Sequence, residues 1–441
     1  MPRAKNGNLM NPKKRGRCKA KGAFNIPELP LAIVMDILSR LSFKTLCSCR
    51  CVCKDWLHII SDPEFAHLHR PTLPLSILIK TQPPNRKLSR LDLFHVEKSA
   101  GSRIKVDRLR FDPQKSIPCS LSEVILINSC DGLVCLTKGT LWKSRDGSLY
   151  VCNPIWGRYI SIPSPDKNRT YDNDFTAIGF SAKTKEYKVV QTSTRNDCHE
   201  TEVLIYTIGT GAWRSLGKSP KGSVAQLPFN SFLHGALHYV LGEHPCSQVI
   251  QCFDFEREEF RPLLAPAYLK KVNRFRGCYW KVGVLEGCMF LFVFDDNAGT
   301  TSEMWIMKDY GVQESWTKIF VLENSLFSRA SPSYYEPILF LNDMEILMTE
   351  ESYCVVCYNQ ETKCFKKTSV VRTESRFQAL GYYPSFVSLQ DVSNGEEVRS
   401  VLSCLLYDMC SIRDNIEIDI LRGGGSSSDV LSSVPPDHNS G

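Results

Sequence analysis

No stretch of this 441-residue chain is apolar for long enough to suggest a membrane span. Its unbroken apolar runs resemble Cys288–Phe294, against the roughly 20 residues a spanning helix needs. An apolar leader is missing as well. MPRAKNGNLM passes into a basic run, so no secretory signal is expected. Catalytic signatures are also absent: the chain has no G-x-x-x-x-G-K-[ST] phosphate loop, no G-x-S-x-G elbow and no H-E-x-x-H pair. Neither an enzyme nor a cofactor is expected. Global disorder is excluded by 43% hydrophobic, 10% aromatic and 23% charged residues, and the length allows two or three domains with at least one large core.

Charge is unevenly placed. Residues 1–22 hold Arg3, Lys5, Lys13, Lys14, Arg15, Arg17, Lys19 and Lys21 and no acid. Removing those eight cations from the net +7 leaves the rest of the chain at −1. The body therefore has no global basic footprint, and nucleic acid is not the expected partner. Residues 1–22 are expected to be a disordered basic tail, and 422–441 a second disordered tail rich in Gly and Ser. The run Lys13, Lys14, Arg15 and Arg17 reads as a nuclear import signal, as a phosphate contact or as a solvated tail with no specific use.

Nineteen cysteines, an odd count in a long chain, read as reduced and mostly buried thiols. Cys47, Cys49, Cys51 and Cys53 alternate with other residues. On a helix that spacing turns successive thiols about 200° apart, so the four cannot share one ion. Cys49 and Cys53 are expected in the core. Cys354-x-x-Cys357 with Cys364 lies in a strand pattern and lacks a fourth ligand. His234 and His238 have no carboxylate cluster beside them. No metal is expected.

Residues 24–69 read as a small helical module. Pro27 and Pro30 bracket a helix start. Ile33, Val34, Ile37, Leu38 and Leu41 share an arc of roughly 140°, with Asp36, Ser39 and Arg40 outside it. A second segment sets Leu46, Cys49, Val52, Cys53 and Trp56 on one face, followed by Ile59 and Ile60, until Asp62-Pro63 breaks it. A third short helix carries Phe65 and Leu68. Three short helices make a poor independent core, so the module is expected to need a partner over its apolar face.

Past Leu73 the pattern turns to β. An apolar strand, a polar turn and a bulky residue recur with anchors Tyr159, Trp213, Phe260, Trp316 and Phe365, spaced 54, 47, 56 and 49 residues apart. A turn of small or acidic residues followed by an apolar strand precedes most of them, at Gly132, Gly235, Gly287 and Asp343, 22 to 29 residues ahead. Four short strands per roughly 50 residues is the arithmetic of a propeller blade, with a β-sandwich of accidental spacing as the alternative. Residues 73–111 and 376–390 hold further strands able to close a ring together. The expected fold is an α+β multidomain chain: a three-helix module, then a mainly β, propeller-like domain of about six blades.

The helical module resembles an F-box. The resemblance is carried by Leu29-Pro30, Asp36-Ile37-Leu38-Ser39-Arg40-Leu41, Val52-Cys53-Lys54-Asp55-Trp56 and Pro63-Glu64-Phe65, in order. Ser42 stands where the family usually has proline, and Cys47 to Arg50 departs from its usual Leu-x-Arg-x-Arg. The β region resembles the F-box-associated domain of plant F-box proteins through Ser129-Cys130-Asp131-Gly132-Leu133, Cys152-Asn153-Pro154, Gly179-Phe180-Ser181 and Val203 to Trp213. The paired glycines of kelch repeats are missing. The organisation is then a tail (1–22), the F-box (24–69), a linker with closing strands (73–119), the associated β domain (120–390), a C-terminal segment (391–421) and a tail (422–441).

The resemblance implies a non-catalytic substrate receptor of an SCF-type cullin–RING ubiquitin ligase; the missing leader and the reduced thiols make nucleus and cytoplasm the expected location. Leu29, Pro30, Ile33, Val34, Ile37, Leu38, Val52 and Trp56 would supply the face for the Skp adaptor, some of them packing inside the helical module instead, and the adaptor would link to the cullin and RING subunits. The β domain would hold a target protein. Two other readings are an F-box protein acting outside a ligase and a nuclear protein that uses its basic tail on nucleic acid.

Overall fold

The computed structural model describes residues 29–69, 76–81, 90–99, 103–111, 124–140, 143–165, 169–170, 175–195, 201–218, 231–241, 249–271, 279–294, 301–323, 335–342, 344–350, 354–372, 377–400 and 415–419. Lys13, Lys14, Arg15 and Arg17 and the tail 422–441 lie outside the described residues. No described helix is long and apolar enough to cross a membrane.

The N-terminal module has four helices, α1 (Leu31–Ser39), α2 (Phe43–Cys49), α3 (Lys54–Ser61) and α4 (Pro63–His69). The segment expected to run as one helix from Leu46 past Trp56 is two. Cys53 is extended (φ −154°, ψ 168°) and caps α3, its sulfur accepting the amide N–H of Trp56 at 3.5 Å. Cys53 is therefore exposed, a correction to its expected place in the core, while Cys49 is buried. Ser42 caps α2 by accepting the amide of Thr45 at 3.2 Å, which gives the serine in the family's proline position a role of its own. Asp62 closes α3, and Pro63 opens α4, where a missing N–H costs nothing.

Six antiparallel sheets follow as the blades of a propeller. Blade one is Phe377–Tyr382, Ser76–Thr81, Arg90–Ser99 and Arg103–Phe111, with Asn415–Asp419 on its outer edge. Blade two is Val124–Cys130, Leu133–Thr140, Lys143–Asn153 and Arg158–Ile162, with Arg399–Ser400 outside. Blade three is Thr176–Ser181, Glu186–Arg195, Thr201–Thr207 and Trp213–Lys218, with Arg169–Thr170 added. Blades four (Phe232–Leu233, Ala236–Leu241, Val249–Asp254, Glu259–Leu263), five (Tyr279–Leu285, Cys288–Phe294, Thr301–Met307, Trp316–Glu323) and six (Tyr335–Asn342, Glu345–Glu350, Cys354–Asn359, Cys364–Arg372) have four strands each.

The ring closes in blade one. Phe377–Tyr382, after blade six, pairs antiparallel with Ser76–Thr81, just past α4, in the register Ile77↔Gly381 and Ile79↔Ala379. The strands Ser76–Thr81, Arg90–Ser99 and Arg103–Phe111 thus belong to one blade, and among the described residues the β unit starts at Ser76. The two-part repeat seen in the sequence has a backbone cause. In blades two, four and five the first hairpin turns on a pair with positive φ: Asp131 and Gly132 (43° and 89°), His234 and Gly235 (49° and 73°), Glu286 and Gly287 (50° and 78°). Such two-residue turns match the right-handed twist of the strands they join.

Side chains stitch neighbouring blades. Asn128 of blade two donates to the carbonyl of Ile178 in blade three and accepts its N–H, at 2.8 and 2.9 Å, as a strand neighbour would. The buried Lys188 meets Glu258 of blade four at 2.8 Å, and Glu258 also pairs with Arg214. At Gly179 a Cβ would lie 2.2 Å from the Phe255 ring, so only glycine lets blades three and four approach this closely. The twelve described cysteines are free thiols. Burial pushes the Cys152 and Cys357 thiols up to about 12, which makes them inert core residues.

His234 and His238 serve packing. His238 is fully buried between the Ser231 carbonyl (3.2 Å) and the Tyr310 hydroxyl (2.7 Å), and desolvation lowers its pKa to about 4. The unfolded chain takes up this proton near pH 6.5, whereas the folded chain resists it until about pH 4. Stability present above pH 6.5 should therefore fall as pH drops through that window, by at most about 3 kcal/mol from this residue. Urea unfolding at pH 7.5 and 4.5 should show a smaller difference for His238→Gln than for the unaltered protein.

Candidate functional site

The apolar arc of α1 is used on two sides. Val34 and Leu38 are buried, whereas Leu29, Leu31, Ile33, Ile37 and Val52 are 45–61% exposed. Pro30 is exposed too, and Trp56 is half-buried. Successive i, i+4 pairs on one helix explain the split: Val34 and Leu38 form one stripe, Ile33 and Ile37 the next, about 100° round. Of the eight residues that the resemblance set against the adaptor, Val34 and Leu38 turn inward, and Leu31 is exposed as well. Leu68 on α4 is also half exposed. Leu31 falls about 20° outside the arc, beyond Leu38, so periodicity alone did not single it out. Beyond the patch, Asp36 and Arg40 form an exposed pair at 2.9 Å.

The inward stripe does not face an empty side. Val34, Leu38, Phe43, Leu46, Cys49, Ile60 and Phe65 share one core with Leu78, Leu93, Val124, Leu126, Val134, Tyr150, Leu380, Tyr382 and Phe386 of the propeller. Phe43 stacks on Phe386 with ring centroids 4.6 Å apart and planes 6° apart. The Arg50 guanidinium lies 4.1 Å from the Trp156 ring centre and 4.4 Å from that of Phe386. Burial lowers the pKa of Arg50 from its usual value, against smaller effects of Cys47 and Cys51 that raise it.

The Asp131-Gly132 turn is the polar centre of this junction. The buried Asp131 carboxylate meets Nδ1 of His67 at 2.8 Å. The Asp131 carbonyl accepts from the Tyr187 and Ser385 hydroxyls at 3.1 and 2.9 Å, and the Gly132 carbonyl accepts from the Tyr382 hydroxyl at 3.1 Å. Gly132 combines positive φ with a Cβ position 1.7 Å from Ser385 Oγ, so no other residue fits. Glu64 and Lys185 add a pair at 2.6 Å, and the Ser388 amide donates to the Ser61 carbonyl at 3.3 Å. None of these partners was legible from local sequence, since each joins residues far apart in the chain.

Chemically, the site is an exposed apolar helical face held on a rigid β scaffold. Among the described residues no His, Cys, Asp and Glu group is arranged to hold a metal ion. The chain matches the F-box domain over residues 26–68 and the F-box associated beta propeller domain over residues 85–389. It therefore belongs to the F-box proteins that carry an F-box associated beta propeller domain, a non-catalytic adaptor family. Members serve in general as substrate adaptors of SCF ligases, with the F-box binding a Skp adaptor. The chain is similar to three Arabidopsis thaliana proteins. F-box protein At3g07870 is 27% identical over 385 residues, covering 77% of this chain and 87% of the relative. F-box protein CPR1 is 26% identical over 385 residues, covering 80% and 86%. F-box/kelch-repeat protein At3g23880 is 26% identical over 302 residues, covering 67% and 80%.

Proposed function

We propose that this chain is the substrate-recognition subunit of an SCF-type cullin–RING ubiquitin ligase. In this reading Leu29, Pro30, Leu31, Ile33 and Ile37, with Val52 and Trp56 of the α2–α3 connection and α3, dock on the Skp adaptor, while the propeller holds a target protein. The observation that carries the reading is the double use of α1. Its inner stripe is already buried in the core that the helices share with the propeller, yet Ile33 and Ile37 stay exposed, as do Leu29 and Leu31. A half-exposed Leu or Ile gains about 1 kcal/mol on full burial, half of the ~1.5–3 for complete transfer. Several such residues, freed of any internal packing duty, fit a helical face that lies against a partner's groove. The chain needs no nucleophile or acid–base pair for this task. It raises the concentration of a target beside the charged ubiquitin carrier held elsewhere in the assembly.

The double substitution Ile33→Asp with Ile37→Asp should abolish co-purification of the Skp adaptor. Both residues point away from the shared core, so the thermal melt should stay within about 1 kcal/mol of the unaltered protein, as for other exposed positions. Undiminished adaptor recovery would overturn the assignment of this face.

A further inference from the structure

The end of α2 and its connection to α3 carry four cysteines in seven residues, and the fold gives them different surroundings. Cys49 is buried, and burial pushes its thiol up. Cys53 is exposed but engaged, its sulfur capping α3. Cys47 is half-buried and Cys51 exposed. Cys47 also opens the stretch in which this chain departs from the family's Leu-x-Arg-x-Arg pattern. Cys47 and Cys51 stand one helical turn apart. Cys47 Sγ donates to the Phe43 carbonyl at 3.4 Å, and Cys51 Sγ donates to the Cys47 carbonyl at 3.8 Å. Each thiol points back along its own turn, so the two sulfurs follow one another down one face.

A cation stands beside this pair. Burial lowers the pKa of Arg50, and against it both Cys47 and Cys51 act to raise it, so the guanidinium is within electrostatic reach of both sulfurs. Its Nε is buried without an acceptor, while its plane is held on Trp156 and Phe386. A thiolate formed at either cysteine would meet a fixed positive charge with a donor to spare. The residue after Cys51 is Val52, 61% exposed and part of the proposed adaptor face. The backbone joining them is a tight turn, in which the Cys51 and Val52 amides donate to the Ser48 and Cys49 carbonyls, both at 3.0 Å. Movement of Cys51 is therefore passed on to Val52.

We propose that Cys47 and Cys51 are a redox-modified pair, converted to an intrachain disulfide by a low-molecular-weight disulfide such as oxidised glutathione, and that this bond weakens the hold on the adaptor. In the first step the thiolate of Cys51, the more exposed of the two, attacks one sulfur of the small disulfide. A Cys51–glutathione bond forms, the S–S bond of glutathione breaks, and one glutathione leaves. In the second step the thiolate of Cys47 attacks the Cys51 sulfur, and the other glutathione leaves. Two protein thiols are oxidised and one disulfide is reduced, with the two thiol protons ending on the two glutathiones. The effect on the adaptor follows from geometry. Residues i and i+4 of a helix hold their Cβ atoms ~5–6 Å apart, whereas a disulfide wants ~3.5–4.5 Å. The turn must close by about 1–2 Å, and Val52 moves with it. A disulfide strained in this way is readily reduced, which makes the modification reversible. The effect on the adaptor rests on the proposed function above; the formation of the disulfide does not.

The test equilibrates the full chain in mixtures of reduced and oxidised glutathione, maps its disulfides by mass spectrometry of tryptic peptides and measures the adaptor affinity of each state. Cleavage after Arg50 separates the two cysteines, so their bond appears as a linked pair of peptides. Oxidation should join Cys47 to Cys51 and lower adaptor affinity about tenfold, a loss of about 1.4 kcal/mol. Dithiothreitol should restore both. Cys51→Ser should bind the adaptor as the reduced chain does and lose the response to oxidation. Cys53→Ser, whose hydroxyl can still cap α3, should keep that response. No disulfide, a bond from Cys51 to Cys53 or to a second copy, or glutathione left in place on Cys51 would overturn the pair. A Cys47–Cys51 bond with unchanged adaptor affinity would overturn its effect on the adaptor. A reduced chain that does not bind the adaptor would count against the proposed function, and the peptide map would still decide the pair.

Discussion

Truncating Trp316 to Ala should lower stability by about 3–5 kcal/mol, whereas Trp213→Ala should cost about 1–2 kcal/mol. The two residues do the same thing at two blade junctions. Each opens the outer strand of its blade and donates its indole N–H to a carbonyl just past the outer strand of the preceding blade: Trp213 to Pro163 at 2.6 Å, Trp316 to Leu264 at 2.8 Å. Their burial differs. Trp316 is in the core with Leu263, Leu269 and Met307, so its loss opens a cavity as well as a hydrogen bond. Trp213 is half-buried against Tyr206, with centroids 5.4 Å apart, and its loss is partly filled by water. Urea unfolding of the full chain with each substitution separates the effects. Near-normal stability of both variants would overturn the latch, and a larger loss at Trp213 would reverse the order set by burial.

The near-regular spacing of the five anchors made the propeller legible in the sequence, because each stands at the first or second residue of its blade's outer strand and so recurs with the blade period. The primed turns were legible for a similar reason. Positive φ restricts the residues that fit, which leaves Asp-Gly, His-Gly and Glu-Gly at matching places. Elsewhere local pattern misled. Leu46, Cys49, Val52, Cys53 and Trp56 keep a helical period straight through the break before α3, and nothing local shows that Cys53 turns out to cap a helix. The amphipathic arc of α1 was visible, but its division between two partners depends on residues more than 300 positions away, such as Leu380 and Phe386. Blade one stayed partly hidden because its inner strand and its next strand come from opposite ends of the β region.

Phe43→Ala should lower the stability of the whole chain by about 3–5 kcal/mol, although Phe43 belongs to the helical module. The reason is where the module sits. Strand Phe377–Tyr382 closes the ring, and of the residues that follow it Phe386 and Ser388 are ones the helices hold. Phe43 stacks on Phe386, Arg50 covers Phe386 and Trp156, and the Ser388 amide reaches the Ser61 carbonyl. His67 and Glu64 fix the adjoining turns through Asp131 and Lys185. The helices therefore brace the seam at which the propeller could open. A β unit of residues 70–421 without them should melt well below the full chain, and the full chain should unfold in one transition. Separate transitions for the two parts, or a propeller whose melt ignores Phe43→Ala, would overturn the brace. The same contacts have a consequence for ubiquitin transfer. In the proposed function the adaptor-facing helices and the target-holding propeller are joined through a shared core, so the distance between them would be set by packing and not by a flexible linker. Destabilising substitutions at this junction, such as Phe43→Ala, should then lower target ubiquitination more than they lower adaptor binding, because the helical face itself is untouched while its position over the propeller is not. Equal losses in the two assays would mean that the junction acts on the adaptor face alone.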